Sequence, residues 1–340
     1  MTATTTRIRA EVRAGLGDLA LDRPEALNAL TPDMVAGITR VLSRWADDDT
    51  VHTVVVRSTS PRAFCAGGDI RFMREEVLAQ RLDQTMAFFA DEYALNEFIA
   101  SYPKPYVALL DGVAMGGGLG LSVHGGYRVV TEHSVLAMPE TSIGFFPDVG
   151  ASYFLPRLAP GWGRYLGLTG ARVDAGGALR SGLATHYVPR EHLDDLVKAL
   201  TRKGISALDG THGAPPALDP PGAAPAAAVL KVFGETPLAE LEAELRVLTD
   251  PQAEAALAAL LSASPSSVVT TDRLLCLGAQ SSLSECLARE LATARDAIRR
   301  PDFDEGVRRA VVERGTTPVW SHATIEDAAA EDADAKGGTQ

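Results

Sequence analysis

Two carboxylates in an apolar segment interrupted by proline and glycine are the strongest candidates for chemistry. Glu140 and Asp148 are eight residues apart, within the segment from Ala137 to Tyr153. Such a segment can fold back and bring the two groups together, and desolvation with mutual repulsion would then raise the pKa of one of them. That carboxyl group would serve as a general acid or base near neutral pH. The alternative is that both carboxylates only cap helices.

Two glycine runs offer backbone donors. Gly116 to Gly118 stand between an apolar strand-like segment and a small-residue helix, and the run Ala66-Gly67-Gly68-Asp69 has the same character. Without a Cβ in the way, their N–H groups can face a ligand. Two such donors on one thioester carbonyl would stabilise an enolate or a tetrahedral oxyanion by about 3 kcal/mol each. The alternative for each run is a tight packing turn.

A third carboxylate lies on a helix with a mostly apolar pattern. Glu92 follows Phe88 by one turn and precedes Leu95 and Ile99 on the same ridge of a helical stretch that ends near Ala100. This places a carboxylate among large apolar side chains. The alternative is a glutamate at the rim whose head reaches water.

Other catalytic patterns are weak. The segment Gly120-Leu-Ser-Val-His124 lacks the G-x-S-x-G nucleophile motif, and residues two apart in a helix point away from each other. No Lys-Ser/Thr pair follows the glycines, and no spaced G-x-G-x-x-G is present, so nucleotide binding is disfavoured. The seven histidines show no i,i+4 or H-E-x-x-H pairing, which predicts that the protein holds no metal.

Alternating strand, loop and helix signals position these residues. Thr31 and Pro32 form a helix start, and the β-branched run Val54 to Val56 is typical of a strand covered on both faces. The fold class is therefore α/β. Composition divides the chain into four segments: a core at 1–203, a breaker-rich linker at 204–228, a helical region at 229–322, and an acidic tail at 323–340 that we expect to be disordered.

Composition excludes several classes of protein. The chain has 340 residues with 46% hydrophobic and 22% charged residues, a globular balance. Its net charge of 32 − 44 = −12 disfavours nucleic acid as a partner. The most apolar stretch, Val107 to Val123, is broken by Asp111 and the glycines, which predicts that no segment spans a membrane.

Cysteine content and the first residues bear on location. The three cysteines, Cys65, Cys276 and Cys286, are too few and too irregularly spaced for a disulfide framework, which favours the reducing cytoplasm. The first ten residues lack an apolar signal segment, although their Thr and Arg residues are compatible with an organelle transit peptide.

The motifs together resemble the crotonase (enoyl-CoA hydratase/isomerase) superfamily. The resemblance rests on five segments, which occur in order and nearly without gaps: Asp22 to Leu30, Phe64 to Ile70, Lys104 to Ala108, Gly112 to Gly120 and Met138 to Thr141. Further segments resemble the branch that hydrolyses 3-hydroxyisobutyryl-CoA: Glu92 to Asn96, Gly120 to His124, Phe146 to Gly150, Tyr153 to Arg157, Leu168 to Gly170, Gly182 to His186 and Asp302 to Arg308. The implied fold is a spiral of ββα units with a helical C-terminal region.

The resemblance also implies roles for individual residues. Gly68 and Gly117 would donate N–H groups to the thioester oxygen, and Glu92, Phe145 and Phe146 would line the acyl pocket. A further group would hold the adenine, pantetheine and phosphate parts of CoA: Arg23, Ala26, Ala66, Asp69 and Ile70. An acidic protein can still bind CoA phosphates through a few local cations and backbone donors.

One position departs from the hydratase pattern. Enoyl-CoA hydratases that resemble this chain carry a catalytic glutamate where this sequence has Gly120, and a second one at the position of Glu140. The hydrolase branch shows the same absence and has an acid at the position of Asp148. Glu140 would then act as a nucleophile on the thioester or as a base for water, and Asp148 would orient the 3-hydroxyl or the water.

The leading hypothesis is hydrolysis of a short 3-hydroxyacyl-CoA, above all 3-hydroxyisobutyryl-CoA from valine breakdown. The alternatives are another enoyl-CoA hydratase or isomerase reaction and a non-catalytic acyl-CoA binding protein. We expect no cofactor, since CoA is part of the substrate, and a small-molecule acyl-CoA as the partner. The resemblance implies trimers or their multiples, but the long C-terminal part could cover a subunit face, so the oligomeric state stays open.

Overall fold

The computed structural model describes residues 3–5, 7–209, 225–313 and 315–337. Within these residues the strands form a seven-stranded and a three-stranded sheet. The strands are β1 (Ala3–Thr5), β2 (Ile8–Arg13), β3 (Leu16–Leu21), β4 (Thr53–Ser58), β5 (Ala63–Cys65), β6 (Tyr106–Leu110), β7 (Val113–Met115), β8 (Tyr127–Val130), β9 (Val135–Ala137) and β10 (His186–Tyr187).

The order of the strands is that of a spiral. The large sheet runs β1-β2-β3-β4-β6-β8-β10 and the small sheet runs β5-β7-β9. After an antiparallel start at β1, β2 and β3, the remaining neighbours in the large sheet are parallel. Each turn of the chain therefore adds one strand to each sheet before a helical segment returns it. This confirms the predicted α/β spiral of ββα units.

The helices fill these returns and form the C-terminal region. They are α1 (Pro32–Ala46), α2 (Ile70–Leu78), α3 (Leu82–Ala100), α4 (Gly117–Val123), α5 (Ala151–Phe154), α6 (Trp162–Thr169), α7 (Ala175–Ser181), α8 (Leu193–Lys203), α9 (Ala227–Glu235), α10 (Leu238–Val247), α11 (Pro251–Ser262), α12 (Pro265–Gly278), α13 (Leu283–Ala297), α14 (Pro301–Val307) and α15 (Ile325–Gly337). Short 3-10 helices lie at Pro24–Ala26, Glu140–Ile143, Leu155–Arg157, Arg190–His192 and Gly204–Leu208, and a π-helical turn at Arg308–Val312.

The chain forms two compact units that interleave along the sequence. Unit 1 comprises residues 1–69, 88–136 and 173–224, and unit 2 comprises residues 70–87, 137–172 and 225–340. The sequence suggested consecutive segments instead, because composition reports local chain character and not which distant segments pack together.

Unit 1 is built around its parallel strands. The residues Val54 to Val56 on β4 are completely buried, as the β-branched run predicted. Helix α1 begins as expected, since the Thr31 hydroxyl accepts from the Met34 N–H and Pro32 occupies the first turn. The buried face of this helix ends in Trp45, whose ring lies so close to Gly17 on β3 that any side chain there would overlap it.

Unit 2 has its own apolar core. Its C-terminal helices bury a cluster of large and small side chains: Leu168, Val229, Phe233, Leu241, Leu245, Ala253, Ala256, Leu260, Ala263 and Val268. Residue patterns in this region predict helices from Pro237 to Leu248, Gln252 to Ser262 and Leu283 to Ile298. Helices α10, α11 and α13 agree with these ranges within about one residue at each end.

The acidic tail differs from expectation. Residues 325–337 form helix α15, and the expectation of disorder is wrong for them. Alanine is the strongest helix former, and the helix also makes contacts with unit 2 that cannot be read from its charge composition. Ala328 is 4% exposed, Ile325 packs on the unit 2 core, and Asp332 lies 3.9 Å from Arg273 of α12. The end of the tail, at 338–340, and most of the predicted linker, at 210–224, lie outside the described residues.

Among the described helices, none alone has the length and apolar content to cross a bilayer. Helices α11 and α12 reach that threshold only when they are joined, and the chain bends by 110° between them.

Candidate active site

The glycine loop at residues 66–69 directs one backbone donor away from its neighbours. Leu30 forms a parallel bridge with Gly68, in which Leu30 N–H donates to Gly67 O and Asp69 N–H donates to Leu30 O, at 2.8 and 3.0 Å. In a parallel bridge of this pattern the central residue turns its own N–H to the opposite side. The Gly68 N–H therefore faces away from Leu30, and Gly68 itself is half-buried.

The second glycine run lies beside the first. A Cβ built on Gly67 would be only 3.7 Å from the Gly117 nitrogen, which shows how closely the two loops approach. Gly117 is the first residue of α4, so its N–H has no partner within that helix. Unit 1 thus brings together the two glycines that were expected to act as donors.

Glu92 lies against the start of α4. A Cβ on Gly117 would overlap Oε1 of Glu92, and it would lie 3.1 Å from Cδ1 of Leu30. Glu92 is 2% exposed, so the alternative of a glutamate at the rim is wrong. The nearby Cys65 is affected by the charge of Glu92. Burial is the main cause that raises the pKa of the Cys65 thiol to about 12, and the carboxylate of Glu92 adds to the shift.

Most of the expected CoA-binding residues also lie together in unit 1. Arg23 pairs with Asp69, with Nη1 and Oδ2 2.8 Å apart, and donates to Ala29 O. Ala66 N–H donates to Leu27 O and ties its loop to the 3-10 helix that contains Ala26. Asp69 neutralises the charge of Arg23, and this ion pair helps to fix the shape of these loops. Ile70, the remaining member of the set, begins α2 in unit 2.

Asn28, which sequence reasoning did not single out, holds these loops in place. It is completely buried, and its Nδ2 donates to Ser58 Oγ and Phe64 O at 2.6 and 2.9 Å. Its Oδ1 accepts from the Arg23 N–H at 2.7 Å. Its φ of 56° lies in the left-handed region, which asparagine tolerates better than most residues. A local signal existed, since Asn between two turn segments favours this conformation.

A second buried asparagine contrasts with the first. Asn96 lies one turn after Glu92 on α3 and is also completely buried. Neither of its amide atoms has a hydrogen-bond partner among the described residues. A buried amide in this state requires water or a bound group as its partner. No sequence pattern separates this asparagine from Asn28, because only the fold shows which amide is satisfied.

The two asparagines make a matched test of stability. We expect Asn28→Ala to lower the free energy of unfolding by more than about 2 kcal/mol, because it removes the partner of the buried Phe64 carbonyl and of the part-buried Arg23 N–H. Asn96→Ala removes an equally buried side chain that has no such protein partners, so its cost is smaller. Urea unfolding of both variants checks this. A loss in Asn28→Ala no larger than that in Asn96→Ala would contradict it.

Unit 2 holds the other candidate carboxylates and the aromatic residues. Glu140 begins a 3-10 helix and is 7% exposed, and Asp148 is 6% exposed. Phe145 and Phe146 are both buried, and their rings stack with centroids 4.5 Å apart. They line a cavity of only about 10 Å³, so little free space remains beside the stacked rings.

Glu290, from helix α13, holds the loop that follows Asp148. Its carboxylate accepts from Gly150 N–H at 2.7 Å, from Ser152 N–H at 2.9 Å and from Ser152 Oγ at 2.5 Å. Burial is the main cause that raises its pKa to about 8; the three hydrogen bonds oppose the shift and the charge of Asp148 adds to it. Sequence reasoning missed this residue because its partners are about 140 positions away.

We expect Glu290→Gln to lower stability and to change its pH dependence. A glutamine offers one acceptor oxygen to three donors, and each buried donor left unpaired costs about 1–3 kcal/mol. Because the folded-state pKa of Glu290 lies above the ordinary 4.5, the folded state binds the extra proton between about pH 4.5 and 8. The contribution of Glu290 to stability is therefore full at low pH and lost as the pH rises.

Urea unfolding of wild type and Glu290→Gln between pH 5 and 8 checks this expectation. The difference in unfolding free energy between the two proteins should shrink as the pH rises. A difference that is constant over this range would contradict the role assigned to the Glu290 proton.

The described residues contain no group of three or more His, Cys, Asp or Glu side chains that could hold a metal ion. The candidate groups of each unit are now located. Unit 1 holds Gly68 and Gly117 in neighbouring loops, with Glu92 beside Gly117, and unit 2 holds the buried carboxylates Glu140 and Asp148.

Comparison with known proteins identifies the family. The chain belongs to the enoyl-CoA hydratase/isomerase family, whose model matches residues 16–336. Among curated relatives, the mitochondrial 3-hydroxyisobutyryl-CoA hydrolase of Rattus norvegicus is 36% identical over 355 residues, covering 96% of this chain and 88% of that protein. The enzyme of the same name from Dictyostelium discoideum is 38% identical over 322 residues, covering 90% and 84%.

Solved structures share the fold. A carnitinyl-CoA dehydratase from Mycobacterium thermoresistibile has a TM-score of 0.88 and 34% identity, with coverage of 97% of this chain and 96% of that chain. An enoyl-CoA hydratase from Rhodobacter sphaeroides 2.4.1 has a TM-score of 0.84 and 36% identity, with coverage of 95% and 94%. These neighbours confirm the predicted crotonase-like fold.

The expected cytoplasmic location is wrong. The curated relatives are named as mitochondrial proteins, in species from Rattus norvegicus to Dictyostelium discoideum. A low cysteine count excludes a disulfide framework but does not distinguish one reducing compartment from another.

Proposed function

We propose that the protein hydrolyses a short 3-hydroxyacyl-CoA thioester, with 3-hydroxyisobutyryl-CoA as the substrate and valine breakdown as its source. One observation carries the proposal. The chain buries two carboxylates, Glu140 and Asp148, and it has Gly120 at the position of one of the glutamates that hydration requires. The names of the curated relatives support the same activity at 36% to 38% identity.

The reaction replaces a C–S bond by a C–O bond. Water adds its oxygen to the acyl carbon, the thiolate of CoA leaves, and a proton reaches the sulfur, so that free acid and CoA result. Negative charge develops on the carbonyl oxygen during this step. In the proposed mechanism the N–H groups of Gly68 and Gly117 stabilise that charge, at about 3 kcal/mol for each donor.

The carboxylates have separate roles in the remaining steps. Glu140 is either the nucleophile, through a mixed anhydride that water then opens, or the base that takes a proton from water. Asp148 orients the 3-hydroxyl or the attacking water. Glu92 and the stacked rings of Phe145 and Phe146 line the acyl pocket, while Arg23, Ala26, Ala66, Asp69 and Ile70 hold the CoA moiety. No cofactor or metal takes part in these steps, since CoA enters as part of the substrate.

A hydratase reaction is the second candidate. The two solved neighbours, a carnitinyl-CoA dehydratase and an enoyl-CoA hydratase, favour it. It requires a second acid at the position of Gly120, which a glycine cannot supply. A non-catalytic acyl-CoA binding protein is disfavoured because binding alone does not require buried carboxylates, which are costly to desolvate.

One experiment on purified protein tests these alternatives. Thiol release from 3-hydroxyisobutyryl-CoA is followed with a colorimetric reagent, and the loss of enone absorbance from crotonyl-CoA is followed in parallel. We expect thiol release without hydration. Hydration without thiol release would support the hydratase alternative, and saturable CoA binding without either reaction would support the binding protein.

A further inference from the structure

A cavity in the C-terminal helices of unit 2 collects three arginines. It has a volume of about 290 Å³ and lies between α12 and α13. Its lining residues are Thr270, Arg273, Arg289, Ala292, Thr293, Asp296, Ala297 and Arg300. With one aspartate against three arginines, the lining carries a formal charge of 3 − 1 = +2, in a protein whose net charge is −12. Such a local excess of positive charge is unusual in an acidic chain.

The guanidinium groups in this cavity have few direct partners, and Glu285, one turn before Arg289, acts on that arginine through its charge from beyond ion-pair distance. In the described part of the chain, neither Arg289 nor Arg300 has a carboxylate within the 4.0 Å of an ion pair. Arg273 has one, but its Nε is 3.9 Å from Asp332, beyond a hydrogen bond. Nη1 of Arg289 and Nε of Arg273 are buried without hydrogen-bond partners. Buried donors on a charged group are costly when they are left unpaired.

An oxyanion fits the positive charge of this lining and can accept hydrogen bonds from its guanidinium groups. We infer that this cavity binds a phosphate group, either inorganic phosphate or the phosphate of an organic ester. Guanidinium groups form bidentate hydrogen bonds to phosphate oxygens, and a doubly charged group matches the lining charge of +2. Arg289 is partly held already, because its Nη2 donates to Ser281 Oγ at 3.0 Å. Nη1 of Arg289 keeps no hydrogen-bond partner among the described residues, and the exposed Arg300 lines the same cavity from the segment before α14.

This inference does not depend on the proposed thioester hydrolysis, because no catalytic or CoA-binding candidate lines the cavity. It depends on the two arginines that lack carboxylate partners, so Arg289 and Arg300 are the residues to change. Arg246 of α10 is a matched control, since it is an arginine of the same unit that is already paired with Glu242 at 2.6 Å.

The test is calorimetric titration of the full chain with inorganic phosphate at low ionic strength, where charge interactions are least screened. We expect saturable binding to the wild type and to Arg246→Gln. We expect at least about a tenfold weaker binding to Arg289→Gln/Arg300→Gln, because two charge-assisted contacts are lost. The single variant Arg300→Gln, at an exposed position, serves where the double variant does not fold, and we expect it to bind phosphate more weakly than the wild type.

Two further titrations identify the source of the phosphate. They repeat the phosphate titration in the presence of saturating CoA and of saturating pantetheine. Loss of phosphate binding with CoA but not with pantetheine assigns the cavity to a phosphate of CoA, and undiminished binding assigns it to free phosphate or another ester. Absence of saturable binding to the wild type, or equal affinity in the wild type and the arginine variants, would overturn the inference.

Discussion

Glu140→Gln and Asp148→Asn should each lower the rate of thioester hydrolysis by about 10²-fold to 10⁴-fold, the usual contribution of a positioned acid, base or nucleophile. Both substitutions keep the size of a side chain that is nearly completely buried, at 7% and 6% exposure, while they remove its charge. As a nucleophile or as a base, Glu140 must be ionised, so the glutamine abolishes either role.

Steady-state thiol release checks this prediction, with CoA affinity and circular dichroism measured on the same samples. Both should match the wild type, because CoA binding is assigned to other residues. Glu235→Gln on α9 is the control, since that carboxylate is 70% exposed and should not affect turnover. Turnover at the wild-type rate in Glu140→Gln or in Asp148→Asn would refute the assignment of that residue.

Gly117→Ala should lower kcat by about 10²-fold to 10³-fold, the loss typical of one oxyanion donor. The new methyl group would overlap Oε1 of Glu92, so the start of α4 or the carboxylate must move. Either movement displaces the Gly117 N–H from the thioester oxygen. Because the lost hydrogen bond acts on the carbonyl that reacts, we expect kcat to change more than KM.

Gly126→Ala is the matched control for this substitution. A Cβ at Gly126 meets no atom within 4 Å, and its φ is outside the left-handed region. It should therefore have wild-type kinetics. Thermal unfolding of both variants separates a local displacement from a loss of folded protein. A Gly117→Ala enzyme with wild-type kcat would show that this N–H is not required.

Local patterns predicted most of the fold and the identity of the candidate residues. The start of α1 at Thr31 and Pro32 and the buried run on β4 follow directly from residue types and spacing. The glycine runs and the carboxylates stood out as candidates because glycine next to a helix start and acids in apolar segments are uncommon; their chemical roles stay predictions. The departure at Gly120 then favoured hydrolysis over hydration.

Features that depend on distant partners could not be predicted. Glu290 is one of several acids on an amphipathic helix until the fold places it against Gly150 and Ser152. The difference between Asn28 and Asn96 is likewise a property of their surroundings. Helix α15 was missed because a charged, alanine-rich segment is helical or disordered according to whether an apolar surface is available to it.

The interleaved units have a consequence for how the chain is made. Unit 1 lacks part of its large sheet until β10, at His186–Tyr187, has left the ribosome. Unit 2 has its first segment, residues 70–87, synthesised early, yet the helices that bury it follow residue 225. Segments of both units therefore lack some of their native partners until late in synthesis, and apolar surface exposed in that interval favours aggregation.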